Sequence, residues 1–200
     1  MKKALVIAMA ALAALPLVAS AKPETYTVDA AHSGISFQVR HFFSEVPGRF
    51  TDFTGKVVWD AEKPEASSVE ITVQAKSINT DNENRDGHLR NADFFDVEKF
   101  PSMSFKSVSV KAKDAKTLTV NGDLTVKGVT KRTTIEVQLL GVMELGGGKA
   151  KAGFKTEFPI NRQDFGISWN KTLDQGGTVL GDEVTVKVLF EADRVVAAAN

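Results

Sequence analysis

Apolar and polar residues alternate along most of this chain. Between positions 34 and 42, Ile35, Phe37, Val39 and His41 share one parity, and Ser36, Gln38 and Arg40 take the other. That is the period of a strand with one buried face. The pattern returns at 69–78, where Val69, Ile71, Val73 and Ala75 are set against Glu70, Thr72, Gln74 and Lys76. Further strands are predicted at 26–29, 49–59 (Phe53, Val57 and Trp59 inward), 103–112 and 118–126. Three more follow at 132–140 (Ile135, Val137 and Leu139 inward), 149–158 and 183–192 (Val184, Val186, Val188 and Phe190 inward). Pro47-Gly48 is expected to end the second strand, because proline has no N–H to give to a ladder. Asn121-Gly122 would ordinarily mark a hairpin. Here Leu118, Val120, Gly122, Leu124 and Val126 keep one parity straight through it. One long strand with its glycine at a bend is therefore predicted, turning back at 127–131.

Two stretches do not alternate. From Ser77 to Phe105, Thr80 followed by Glu83 is the spacing of a capping box, and predicts a short helix over about 82–91. That helix is polar all round, with Leu89 its one large apolar residue and Gly87 inside it. Gly87 costs about 1 kcal/mol against alanine. Phe94, Phe95, Val97 and Phe100 follow at once, and Pro101 ends any helix. A polar turn of helix with an apolar knot behind it predicts a lid rather than a core helix. The second stretch runs over 160–181 and holds Asp164-Phe165-Gly166 and Trp169.

About eight strands, joined in sequence by short connections, predict an antiparallel meander with one helix after the fourth strand. A closed eight-stranded barrel removes the sheet edges and leaves an interior for one small ligand. A two-sheet sandwich of immunoglobulin type, with a filled core, is the competing all-β fold.

Composition narrows the setting. Lys2 and Lys3, an apolar run from Ala4 to Val18, and Ala19-Ser20-Ala21 have the form of a cleavable export leader over 1–21. The mature domain would then be 22–200, in the periplasm. The apolar run is too short for a lasting membrane anchor. The sequence has no cysteine, which rules out a lipoprotein anchor, a disulfide or a thiolate metal site. Its 25 Lys+Arg balance 25 Asp+Glu, and loss of Lys2 and Lys3 leaves a net charge of −2. With no basic run, there is no electrostatic footprint for nucleic acid.

Several motifs together resemble one family. They are Asp29…His32-Ser33…Phe37, then Ser77-Ile78…Thr80…Arg85-Asp86…His88-Leu89…Asp93-Phe94-Phe95…Pro101. Gly122-Asp123-Leu124-Thr125…Gly128-Val129-Thr130-Lys131 and Asn161-Arg162…Asp164-Phe165-Gly166 complete the set. In this order and spacing they are similar to the YceI-like family. The resemblance implies a lipocalin-like barrel, periplasmic and often dimeric. It also implies a polyisoprenoid or other long amphiphile held in the lumen, with no catalysis and no cofactor. Thirteen Phe against one Tyr suit such a lumen, since a buried phenol needs a partner.

Strand parity selects the lumen residues: Phe37, Phe53, Val57, Ile71, Val73, Phe105, Leu124, Val126, Ile135, Val137, Phe154 and Val186. Leu89, Phe94 and Phe165 are added from the irregular stretches. Arg85, His88 and Arg90 on the lid would face a head group or pair with nearby carboxylates. A metal site would need His32, His41 and His88 to converge with a carboxylate such as Asp29 or Asp86, and their spacing gives no such signature. Asp86 and His88 form a conceivable general-base dyad, but an i, i+2 pair points to different helix faces. An enzyme acting on an isoprenoid quinone or lipid is thus the alternative reading.

Overall fold

The computed structural model describes residues 22–172 and 178–196; the leader at 1–21 lies outside them. The strands are β1 (Glu24–Val28), β2 (Gly34–His41), β3 (Ser44–Phe50), β4 (Phe53–Trp59), β5 (Ser68–Gln74) and β6 (Ile78–Asn79). After helix α1 (Glu83–Arg90) come β7 (Ser102–Ala112), β8 (Thr117–Val126), β9 (Val129–Gly146), β10 (Lys149–Asn161) and β11 (Leu180–Arg194).

These eleven segments make eight staves of a closed antiparallel barrel. β11 pairs β2 along its first part and β1 near its end, so β1 and β2 are one stave interrupted at 29–33. β3 and β4 form a second interrupted stave, and β5 with β6 a third, because β2 pairs β3, β3 pairs β6, β1 pairs β4 and β4 pairs β5. β7 to β11 are single long strands, each paired with the next. β1–β11 pairing closes the ring. The barrel is the expected one; in a two-sheet sandwich the first and last strands would not pair to close a ring, as β1 and β11 do here.

Two local expectations change. Pro47 and Gly48 lie inside β3; the chain turns instead at Phe42-Phe43, and the stave is interrupted without a turn at Thr51-Asp52. Pro47 is tolerated because β6 covers only Arg49 and Phe50. On that side residues 44–48 are an edge, where a missing N–H costs no ladder bond. Gly48 is there for space, since a Cβ would come 2.2 Å from Phe37 Cζ. Gly122 plays the same part in β8, which is indeed one strand: its Cβ would meet Phe105 Cζ at 2.3 Å. In both places a lumen ring lies across the backbone of the neighbouring strand. The turn expected at 127–131 is tighter than predicted, with only Lys127 and Gly128 outside the strands and both at positive φ, the two-residue hairpin geometry.

α1 forms where expected, with a different cap. Asp81 at φ +58 redirects the chain, so Asn82 becomes the N-cap and its side chain accepts from the Arg85 N–H at 3.0 Å. Thr80 instead gives its N–H (2.9 Å) and hydroxyl (2.5 Å) to Asp86 Oδ1. Both residues are buried, and each satisfies the other.

Buried side chains gather at two levels. A lower layer holds Tyr26, Val57, Trp59, Val110, Leu118, Val120, Ile135, Ala150, Ala152, Phe154 and Ala192. An upper one includes Ile35, Phe50, Phe53, Val73, Ile78, Phe94, Val126, Phe165 and Ile167.

Candidate functional site

Between these layers lies a cavity of about 460 Å³, within the range of small-molecule sites. The barrel builds it by alternation: inward side chains wall the lumen, and outward ones meet solvent. Phe37, Val57, Ile71, Val73, Phe105, Leu124, Val126, Ile135, Val137, Phe154 and Val186 all line it, as do Leu89, Phe94 and Phe165 from the roof. Phe53 does not. It opens β4 beside the Thr51-Asp52 break, where its ring stacks on Phe190 at 5.7 Å and fills the wall rather than facing the cavity.

Other lining residues escape a parity reading. Val46 was hidden by taking Pro47-Gly48 as a break, Phe50 by running one parity through 49–59, and Ile160 by ending the strand at 158, whereas Phe158 shares Phe154's parity and could have been included. Trp169 has no periodic neighbours, and reaches the cavity because the chain after β10 folds over the barrel end. Ile35, Val39 and His41 share Phe37's parity and could have been included.

The polar groups of the lining are mostly engaged by the protein. Arg85 gives Nε to Thr80 Oγ1 (2.8 Å) and Nη2 to Thr80 O (2.9 Å). Arg90 is outside the lining and holds the backbone before the helix, donating to the carbonyls of Lys76 and Ile78 at 2.8 Å each. Arg162, 4 % exposed, binds the carbonyls of Gly181, Ile167 and Trp169 and reaches Asp182 Oδ1 at 3.0 Å. Burial pushes its pKa down, opposed by Asp182. These bonds fasten the segment after β10 over the barrel end. His88 stands edge-on to Phe94 (5.0 Å) and Trp169 (5.1 Å), with Nε2 2.9 Å from Asp93 Oδ2. Asp86 faces Thr80 instead, so the two members of the conceivable dyad have separate partners.

The three histidines do not converge. Asp29, His32 and Glu191 do bring ligand-type atoms within 4.8 Å of one another, at the break between β1 and β2 and outside the lumen lining. Lys151 already supplies the positive charge there, 2.9 Å from Asp29 Oδ2 and 3.4 Å from Glu191 Oε2. Hydrogen bonds from Lys151 and then His32 hold the Asp29 carboxyl well below its ordinary range.

Comparison with known proteins fits this geometry. The model of the YceI-like domain matches residues 26–192, nearly the whole described barrel.

This chain belongs to the YceI-like family.

Among its relatives, Protein YceI of Escherichia coli O157:H7 is 39% identical over 151 residues, covering 74% of this chain and 78% of that protein. Two solved structures share the fold. Burkholderia cenocepacia BcnA superposes with a TM-score of 0.71 at 24% identity, over 82% of this chain and 98% of its own. A polyisoprenoid binding domain from Saccharophagus degradans, implicated in plant cell wall breakdown, gives 0.60 at 16% identity, over 85% and 98%. No helix among the described residues is long and apolar enough to cross a membrane.

Proposed function

We propose that this family member holds a polyisoprenoid, or another long-chain amphiphile, in its lumen for transport, storage or sequestration. The observation that carries the reading is the lumen itself: rings and branched chains from every stave face one cavity, while its arginines are bonded to the protein's own carbonyls. Each buried methylene contributes about 0.8 kcal/mol, so an apolar chain needs no strong polar anchor to bind there. The binding domain of S. degradans supports the polyisoprenoid class by fold alone.

The proposal includes export, with cleavage after Ala21 and action in the periplasm, and a homodimer in solution. Intact mass of the periplasmic fraction tests the first, and sedimentation tests the second. An enzyme on an isoprenoid quinone or lipid finds no favouring observation, because Asp86 and His88 are turned to different partners. The deciding experiment is native mass spectrometry of protein purified without detergent. Co-purified long-chain lipid is expected; an empty protein that takes up no polyprenol on incubation overturns the reading.

A further inference from the structure

The hairpin between β2 and β3 carries two adjacent phenylalanines at its tip. Phe43 is 106% exposed and Phe42 42% exposed. Phe42 also takes φ +52, a conformation for which tight turns ordinarily use glycine or asparagine. Neither ring is placed to help the fold. The tip is nevertheless held firmly. The Phe42 N–H donates to Val179 O at 3.0 Å, Arg40 Nη1 donates to Phe42 O at 3.1 Å, and Ser44 Oγ donates to His41 O at 3.1 Å. The Phe42 ring packs edge-on to His41 at 4.7 Å.

Its location gives this finger a use. Val39, His41 and Val46, just below the tip, line the lumen. Beside them, residues 44–48 of β3 have no strand partner on their outer side among the described residues. The finger therefore stands at the lumen's upper rim, next to a stretch of barrel wall that strand pairing does not close.

We infer that Phe42 and Phe43 are a membrane-contacting finger, which inserts into a phospholipid surface and brings the lumen's rim to the bilayer. The inference leans on the lipid-holding reading for its cargo: a long apolar chain moves between bilayer and lumen at low cost only where the two are in contact. Phe side chains presented on an apolar surface feature bury at the boundary between head groups and acyl chains. Arg40 and Glu45, paired across the hairpin one step below His41 and Ser44, would then lie at head-group depth with no net charge. The partner called for is a bilayer surface, with no requirement for anionic lipid.

The chain's lack of cysteine makes the test clean. Phe43→Cys and Ala115→Cys, the second in the exposed loop at the opposite end of the barrel, are each labelled with an environment-sensitive fluorophore. Each is mixed with phosphatidylethanolamine–phosphatidylglycerol vesicles whose acyl chains carry a nitroxide. Quenching at 43 and none at 115 is the expected result. In flotation, Phe42→Ser/Phe43→Ser should lose at least about tenfold in vesicle partition while keeping the native circular dichroism spectrum and any co-purified lipid. No quenching at 43, or equal quenching at both positions, overturns the inference. So does a dimer that the double variant converts to monomer, since the finger would then be a protein contact. A lumen that stays empty while 43 is quenched retires the lipid-holding reading and supports the contact; a loaded lumen without quenching does the reverse.

Discussion

At the lower end of the barrel, Tyr26 is fully buried with its hydroxyl donating to Glu24 Oε2 at 2.7 Å, and Arg194 lies over its ring at 5.9 Å. Arg194 pairs with Glu24 at 2.8 Å and also with Glu144, while Ala150, Ala152 and Ala192 let the strands close in beneath the lumen. Burial first, and then the Glu24 hydrogen bond, raise the Tyr26 pKa. The upper end is built otherwise. There α1, the Phe94-Phe95 knot and the segment after β10 are laid across the opening, and joined by a few side-chain bonds to carbonyls. Lys127 Nζ, reaching Ala92 O at 3.0 Å and Gly166 O at 3.3 Å, is one of them. The floor is made of the staves themselves and cannot open without unravelling the ring. The roof is a separate, mostly irregular layer, and such layers open at the low end of a protein's stability scale. Ligand exchange should therefore run through the roof.

The largest effect should come from charge inside the lumen. Val126→Arg near the roof and Phe154→Arg near the floor each place an unpaired cation in an apolar cavity, and each should abolish lipid co-purification in native mass spectra. If a folded Phe154→Arg protein still carries full-length lipid, the chain occupies only the upper half. Next comes Phe94→Ala, which deletes a ring 5 % exposed and about 3 kcal/mol of packing. Most of that loss should appear as faster lipid release in stopped-flow transfer rather than as a lower Tm. A large fall in Tm with unchanged release would mean the roof is part of the barrel's cooperative unit.

Arg194→Met is the matching change at the floor. It removes charged hydrogen bonds worth about 2 kcal/mol, and should lower Tm while leaving release unchanged. Gly87→Ala works in the opposite direction. A methyl group there meets nothing within 4 Å, so α1 should gain about 1 kcal/mol and exchange ligand more slowly. Hydrogen exchange supplies the readout: bound lipid should protect 83–90 more than 149–158, and equal protection would make α1 a fixed cap. The smallest effect concerns the staple midway along the wall. Asp29 titrates below its ordinary value of 3.8 in the folded protein, so its contribution is full above that value and is lost as the pH falls through the lower folded one. Asp29→Asn should make acid unfolding below pH 3.8 shallower than in wild type.

The lumen was legible because a barrel wall has a strict period of two. Once Phe37 or Ile71 is assigned inward, every second residue in its strand follows and the apolar lining keeps that parity. In β7, by contrast, the bulge between Ser107 and Ser109 switches it, so that Val110 faces in as well as Phe105. Legibility failed at interruptions. Pro47-Gly48 looks like a stop, yet Pro47 sits on an edge and Gly48 makes room for the Phe37 ring, two facts that belong to neighbouring strands. Phe53 has the right parity, yet its ring is taken up by stacking on Phe190, and Val73 opposite it lines the cavity instead. Thr80 and Glu83 have capping-box spacing, but the turn at Asp81 hands the cap to Asn82 and leaves Thr80 for Asp86.

Alternation, the polar helix and the ordered motifs were thus determined by the sequence alone, because each is a local regularity of three to ten or so residues. Tertiary structure decided which segments share a stave, since a break in one strand matters only through the unbroken strand that spans it. It also decided that Arg85 and Arg162 serve carbonyls of the roof, that the single Tyr seals the floor with Arg194, and that Phe42 and Phe43 stand at the lumen's rim. Each depends on residues far apart in the chain meeting at one end of a closed ring, and no local pattern carries that distance.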